Sequence, residues 1–162
     1  MSNFEKGIVL FFRLTMGWTF LWAGYRQVFL TDHFTVASFL SHTKTFHDFF
    51  APFTDPAIAP VLTFLVAYGH LAIGLSLLTG LMVRASSIAG AAILMMYWMA
   101  HMDFPYIENP NNFIIDYHIV YALLLIWLAV KKAGHIYGLD ALVSNWKAIQ
   151  HNPPLRWATS AS

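Results

Sequence analysis

Apolar residues fall in four long runs along this chain, at about 8–30, 57–78, 85–102 and 113–130, separated by more polar stretches. A helix needs about 20 mostly apolar residues to cross a bilayer, and each run approaches or exceeds that length. The third is the shortest. The link between the second and third runs, Thr79-Gly80-Leu81-Met82-Val83-Arg84, is so short that these two helices must be antiparallel neighbours. The third and fourth runs are separated by residues 103–112, where Pro105, Pro110, Asp103, Glu108 and three asparagines predict a loop. Residues 31–56 are neither long nor apolar enough to cross. Phe34, Phe39, Phe46, Phe49, Phe50 and Phe53 recur there among Asp32, His33, His42, Lys44, His47 and Asp48. That mixture predicts one or two helices lying on the membrane surface. The first run is too long for a signal-peptide core and is read as a span.

The expected fold is therefore all-α: a single membrane domain over residues 1–162, built as an integral membrane four-helix bundle with an interfacial helical loop between the first two spans. Gly134 and Gly138 follow the last span. A short surface helix anchored by Trp146 is expected over 141–150, and a polar tail from Asn152 onward.

Composition supports lipid as the solvent. The chain is 58% hydrophobic and only 10% charged, with mean hydropathy +0.57. Soluble domains carry roughly 25% charged residues, and a domain this small buries only about two-thirds of its surface. With four spans, both termini share a side with Lys6, Arg84, Lys131, Lys132, Lys147 and Arg156, while the other side carries Lys44 and Arg26 and an acidic loop. The positive-inside bias predicts a multi-pass protein of the inner (cytoplasmic) membrane, with both termini and the 131–162 tail cytoplasmic. A net charge of +1 argues against a nucleic-acid partner. With no cysteine, this chain by itself has no disulfide, thiolate or thiolate-held cluster chemistry.

Ionisable groups inside a span cost at least ~2.5–3.5 kcal/mol on insertion scales, so each needs a partner or a task. Arg13, Arg26, His70, His101, Asp116 and His118 are such groups. Arg26, His101, Asp116 and His118 fall at one depth, near the outer ends of three spans. Arg26, His101 and His70 are candidates for substrate binding. Asp116, His118 and Tyr121 are candidates for proton transfer. The competing structural reading pairs Arg26 with Asp116 and leaves the histidines at the headgroup boundary. Residues two apart on a helix point roughly 200° apart, so Asp116 and His118 face one ligand only if the helix start is unwound. His118 and Tyr121 are three apart and share a face. His70, midway along span two, is either a core histidine hydrogen-bonded to a neighbouring helix or a ligand for a quinone ring or haem. No second histidine at its depth favours haem. Arg13 is expected to snorkel inward or to pair within the bundle. The run Leu94-Met95-Met96-Tyr97-Trp98-Met99 is read as deformable packing, and His33, His42 and His47 as polar faces of the interfacial helices rather than metal ligands. No metal site is predicted.

Three blocks carry a family resemblance. They are Arg13-x-x-x-Gly17-x-x-Phe20-x-x-Ala23-Gly24-Tyr25-Arg26; then Gly74-Leu75-x-Leu77-Leu78-Thr79-Gly80-Leu81-x-x-Arg84; then Asn112-Phe113-Ile114-x-Asp116-Tyr117-His118, Tyr121-Ala122-Leu123 and Ala133-Gly134-x-x-x-Gly138-Leu139-Asp140. In order and spacing they resemble the DoxX/DoxD family, the third block being most similar to the DoxD branch. The resemblance implies a four-span bundle. It also implies similarity to the membrane subunit of thiosulfate:quinone oxidoreductase, which oxidises thiosulfate to tetrathionate, passes electrons to a membrane quinone and works with a second protein subunit. Quinone would be the substrate or bound ligand, with no covalent cofactor. The chain departs from many relatives in carrying His70 where they have an acid and Arg26 where they have lysine. The alternative function is a non-catalytic accessory subunit docked to a larger respiratory or photosynthetic membrane complex. A homo-oligomer is compatible with either. No pair of interrupted spans at matching positions points to a transporter.

Overall fold

A capping box opens the chain: the Glu5 amide donates to the Ser2 hydroxyl at 3.2 Å, and the Ser2 amide to the Glu5 carboxylate at 2.5 Å. The computed structural model describes residues 1–107 and 112–161; Glu108 of the acidic loop lies outside the described residues. From that box α1 (Asn3–Tyr25) runs without interruption into a π-helical turn, Arg26–Leu30. The interfacial segment follows as α2 (Val36–Leu40), α3 (His47–Phe50) and a 3-10 turn, Ala51–Thr54. Then come α4 (Ala59–Thr79) and α5 (Val83–Ala100). A two-stranded hairpin pairs β1 (Met102–Asp103) with β2 (Tyr106–Ile107), where the sequence predicts only a loop. Lys44 bridges it to the interfacial segment at Asp103, 2.6 Å away. The chain ends with α6 (Tyr117–Val130), a 3-10 turn (Ala133–His135), α7 (Leu139–Val143), α8 (Lys147–Gln150) and α9 (Pro153–Ala158).

Helices α1, α4 and α5 are long and apolar enough to cross a membrane; α6, at 14 residues, is shorter. It spans about 21 Å at 1.5 Å per residue, against a hydrocarbon core of roughly 30 Å. The fourth apolar helix thus begins at Tyr117 and not near residue 113, too short by itself to match the other three as a span. The cause is Asp116, whose extended backbone and side chain, accepting the His118 amide, make it the helix N-cap. The Trp98 indole N–H donates to the Ile114 carbonyl at 2.9 Å, so the non-helical approach to α6 keeps that group satisfied.

Small residues set the packing. α1 lies directly on α4: a Cβ on Gly24 would stand 2.6 Å from the Leu71 nitrogen, and one on Gly74 would run into the Leu21 backbone. The second close pair is α5 with α6, where a Cβ on Gly90 would press on Leu125 at 2.9 Å. This is the small-residue packing expected where lipid offers no hydrophobic drive between helices. Gly69, by contrast, is not at a close approach: a Cβ there would make only an ordinary contact with Ile93 at 3.9 Å. Met16, Phe20, Leu77, Leu125 and Leu128 fill the shared core, while Trp18, Phe64, Leu123 and Val130 point outward. An outer surface this apolar suits hydrocarbon and would be an aggregation surface in water. The tail departs from the expected polar coil. α9 packs on α5, with the Arg84 guanidinium 5.4 Å from the Trp157 ring and Thr159 fully buried.

Candidate functional site

Helix spacing assembles the first part of the site. Tyr97 and His101, four apart near the end of α5, share a face. His118 opens α6, His70 comes from the middle of α4, and Phe39 reaches in from α2. Their rings form a continuous series at the hairpin end of the bundle. Phe20 stacks on His70 at 5.4 Å between centroids, and His70 meets Tyr97 edge-on at 5.9 Å. Tyr97 stacks on His118 at 6.0 Å and 15°, His118 on His101 at 5.3 Å, and His101 against Phe39 at 4.8 Å. Tyr117 also stacks on His118, at 4.0 Å between centroids.

The hydrogen bonds define the tautomers. A carbonyl can only accept, so His70 Nδ1, 2.6 Å from the Val66 carbonyl, carries its proton and leaves Nε2 as an acceptor. His101 Nδ1 lies likewise 2.7 Å from the Tyr97 carbonyl. His118 Nδ1 lies 2.8 Å from Asp116 Oδ2, while Asp116 Oδ1 takes the His118 amide at 3.0 Å. Both side chains of this dyad are buried. The carboxylate orients the ring, fixes its tautomer and is placed to stabilise an imidazolium when His118 takes a proton at Nε2. Asp116 and His118 thus act together because the chain at Asp116 is extended, which is the unwound start that their spacing demands.

The other expected members are distributed differently. Arg26 is exposed, and its side chain makes no hydrogen bond or ion pair among the described residues. The expected Arg26–Asp116 pair is therefore corrected: the partner of Asp116 is His118, which is closer in sequence and fixed by the same cap. Tyr121 does not extend the His118 face; its ring contact is with Tyr117, edge-on at 5.6 Å. Among the described residues no group of three or more His, Cys, Asp or Glu could hold a metal ion, and His42 and His47 bond to carbonyls of their own segment.

Two members escape the sequence reading. Tyr97 sits in a methionine run that looks like packing, although its four-residue spacing from His101 is a usable signal. Gln27 is the only uncharged polar side chain in the π turn Arg26–Leu30. Its Nε2 points at the Tyr97 hydroxyl at 3.5 Å, and its buried Oε1 has no partner. A π turn inserts an extra residue per turn and so re-aims the side chains it carries. Beside this cluster lies a cavity of about 280 Å³ roofed by the interfacial segment, with Phe39, Phe50, Phe53, Val66, Met96 and Tyr97 in its walls.

A second polar node occupies the opposite, terminal end. Arg13 is 1% exposed. It does not snorkel: Nη1 donates to the Ala133 and Ile136 carbonyls at 2.6 and 2.7 Å, and Nη2 to Tyr137 at 3.1 Å. Asp140 accepts the Met82 and Val83 amides at 2.7 and 3.1 Å, capping α5, and its own amide donates to Gly80. Burial pushes the Asp140 carboxyl above its ordinary range, against the pull of those two amides, His135 and Arg13. Gly80, with φ +73°, touches Gly138, and a Cβ on Gly134 would collide with Asp140. Arg13, Gly80, Gly134, Gly138 and Asp140 come from all three of the sequence blocks that carry the family resemblance. Those blocks therefore converge on one structural clasp, away from His70, His101 and His118.

These features define a multi-pass helical membrane protein with a buried imidazole–phenol cluster at one end. A family model described as DoxX matches residues 8–102, more than half of the chain. The chain belongs to the DoxX family. No curated protein and no solved structure matches it.

Proposed function

We propose that this chain is the membrane subunit of a quinone-linked oxidoreductase of the DoxD type, with thiosulfate as the electron donor. The observation that carries the reading is the buried Asp116–His118 dyad stacked on Tyr97 beside an apolar cavity. Reducing a quinone takes two electrons and two protons, and joining two thiosulfates into tetrathionate releases two electrons, so the half-reactions balance. The electrons come through a second protein subunit. This chain supplies the quinone site and the protons. His118 Nε2 takes a proton from the hairpin side, past His101. Asp116 stabilises the imidazolium, and His118 then passes the proton to a reduced ring oxygen. General acid–base transfer of this kind contributes about 10²–10⁴-fold. Arg26, exposed at the same end, is the cation available to a dianionic donor. The hairpin end faces the exterior, with both termini cytoplasmic, by the lysine and arginine bias.

The test is thiosulfate-dependent quinone reduction in membranes holding this chain with its partner subunit. Arg26→Ala should raise the thiosulfate requirement, and His118→Ala should slow quinol formation at saturating thiosulfate. Unchanged rates in both variants would remove the assigned site.

A further inference from the structure

Tyr97 is common to the cavity wall and to Gln27, whose buried amide oxygen has no partner. Tyr97 lines the cavity with its ring, while its hydroxyl lies 3.5 Å from Gln27 Nε2. His118 stacks on that same ring at 6.0 Å between centroids. A buried amide oxygen without a donor costs on the order of 1–3 kcal/mol. Such a deficit at a ring-lined cavity marks the place of a ligand that brings an O–H. The Tyr97 hydroxyl, accepting from Gln27, keeps its own proton to donate to a carbonyl oxygen. Gln27 Oε1 can only accept, and the hydroxyl of a reduced ring would donate to it. Together they partner both redox forms of a flat dioxygenated ring: the carbonyl of the oxidised form by Tyr97, the hydroxyl of the reduced form by Gln27.

The cavity itself offers almost nothing to a polar ligand. Its walls are Phe39, Phe50 and Phe53 of the interfacial segment, with Val66, Ala92 and Met96 of the spans. At about 280 Å³ it is slightly smaller than whole-ligand pockets of roughly 300–1,000 Å³, a size for part of a ligand. Aromatic and branched walls of this kind suit an apolar chain and not a headgroup.

We infer that Gln27 and Tyr97 form the head anchor of the quinone, and that the cavity beneath residues 36–53 takes the first part of its isoprenoid tail. This rests on the quinone-linked function proposed for the chain and adds two anchor residues and a tail site to it. The ring then lies against Tyr97, on the His118 side of the bundle, and the tail leaves under the interfacial helices toward lipid.

Equilibrium binding to the purified full-length chain in lipid nanodiscs tests this, using a tailless benzoquinone and the same ring bearing two isoprene units. Ala92→Phe fills the cavity from an exposed position. It should weaken binding of the tailed quinone by about tenfold or more and leave the tailless ring within about twofold. Partition of the tail into lipid is common to both proteins and cancels in that comparison. Gln27→Leu should weaken both ligands alike, about fivefold to tenfold. If Ala92→Phe lowers both affinities equally or neither, or Gln27→Leu changes nothing while the wild type binds, the anchor and tail site are wrong and the quinone reading stands. If the wild type binds neither quinone, the reading itself falls, and this inference with it.

Discussion

The two ends of the bundle bury polar groups at similar expense and use them in opposite ways. At the terminal end Arg13 and Asp140 are matched by three carbonyls and two amides. Among the described residues, Arg13 Nε and the Ser87 hydroxyl, one turn into α5, are left over there. The surrounding glycines bring backbones into contact, so a Cβ on Gly138 would meet Arg13 Nη1 at 2.7 Å. There is no room for a ligand. At the hairpin end the histidines give their Nδ1 protons to internal acceptors, His70 and His118 keep Nε2 as an acceptor, Gln27 Oε1 lacks a donor, and open space lies alongside. A densely bonded network in a tight site is a fastening. An incomplete network beside a cavity is a place for chemistry.

The largest effect should come from breaking the fastening. Arg13→Met keeps much of the apolar bulk and leaves the Ala133, Ile136 and Tyr137 carbonyls without their donor. Removing one partner from a buried charged network costs about 3–5 kcal/mol. Thermal unfolding of the detergent-purified protein should show a large loss of stability, and quinone binding should fall only in proportion to the folded fraction. A stable Arg13→Met protein with selectively lost quinone binding would reverse the roles assigned to the two ends.

The converse change belongs to the hairpin end. Asp116→Asn retains a good helix N-cap, because Asn and Asp are near equals there, but places an amide N–H against the His118 Nδ1–H. The ring must then turn over its tautomer, and Nε2 gains the proton. Quinol formation should drop about 10- to 100-fold, the usual size for loss of an orienting carboxylate, with stability changed by under about 1 kcal/mol. Equal losses of stability and rate would make the dyad a cap and nothing more.

The same contrast explains how much of the molecule is legible in its sequence. Long apolar runs encode spans directly, so α1, α4 and α5 lie where hydropathy places them, to within a few residues at most boundaries. The start of α6 is obscured because Phe113, Ile114 and Ile115 are as apolar as a helix interior, while one carboxylate, Asp116, decides where the helix begins. His70, His101, Asp116 and His118 stand out because charge inside a span is conspicuous. Tyr97 and Gln27 do not, because neither is charged and the π turn that orients Gln27 has no periodicity of its own. Arg13 and Asp140 lie 127 positions apart, as their numbers give (140 − 13), and no local pattern says that they meet at the Gly80 turn. The tail reads as polar because α9 is six residues long and opens on two prolines, too short to show a helical period, and its attachment runs through the Arg84–Trp157 contact and the His135–Thr159 hydrogen bond at 2.8 Å.

The smallest effect concerns the proton on Asp140. Its folded carboxyl titrates above the ordinary value because burial disfavours the charge. The native protein therefore holds this proton more tightly than the unfolded chain does. Stability from this group is fully present below the unfolded pKa and is lost as pH rises through the folded one. In the weakly acidic range the apparent Tm of the wild type should fall slightly as pH increases, by on the order of a degree or two. His135 and Arg13 face the same carboxyl, so the slope is read as the difference from Asp140→Asn. That variant keeps one amide acceptor, loses the other and carries no titrating proton. Its Tm should be lower throughout and flatter across this range. A variant slope equal to the wild type's would assign the pH response to His135, leaving Asp140 a fixed cap at the start of α5.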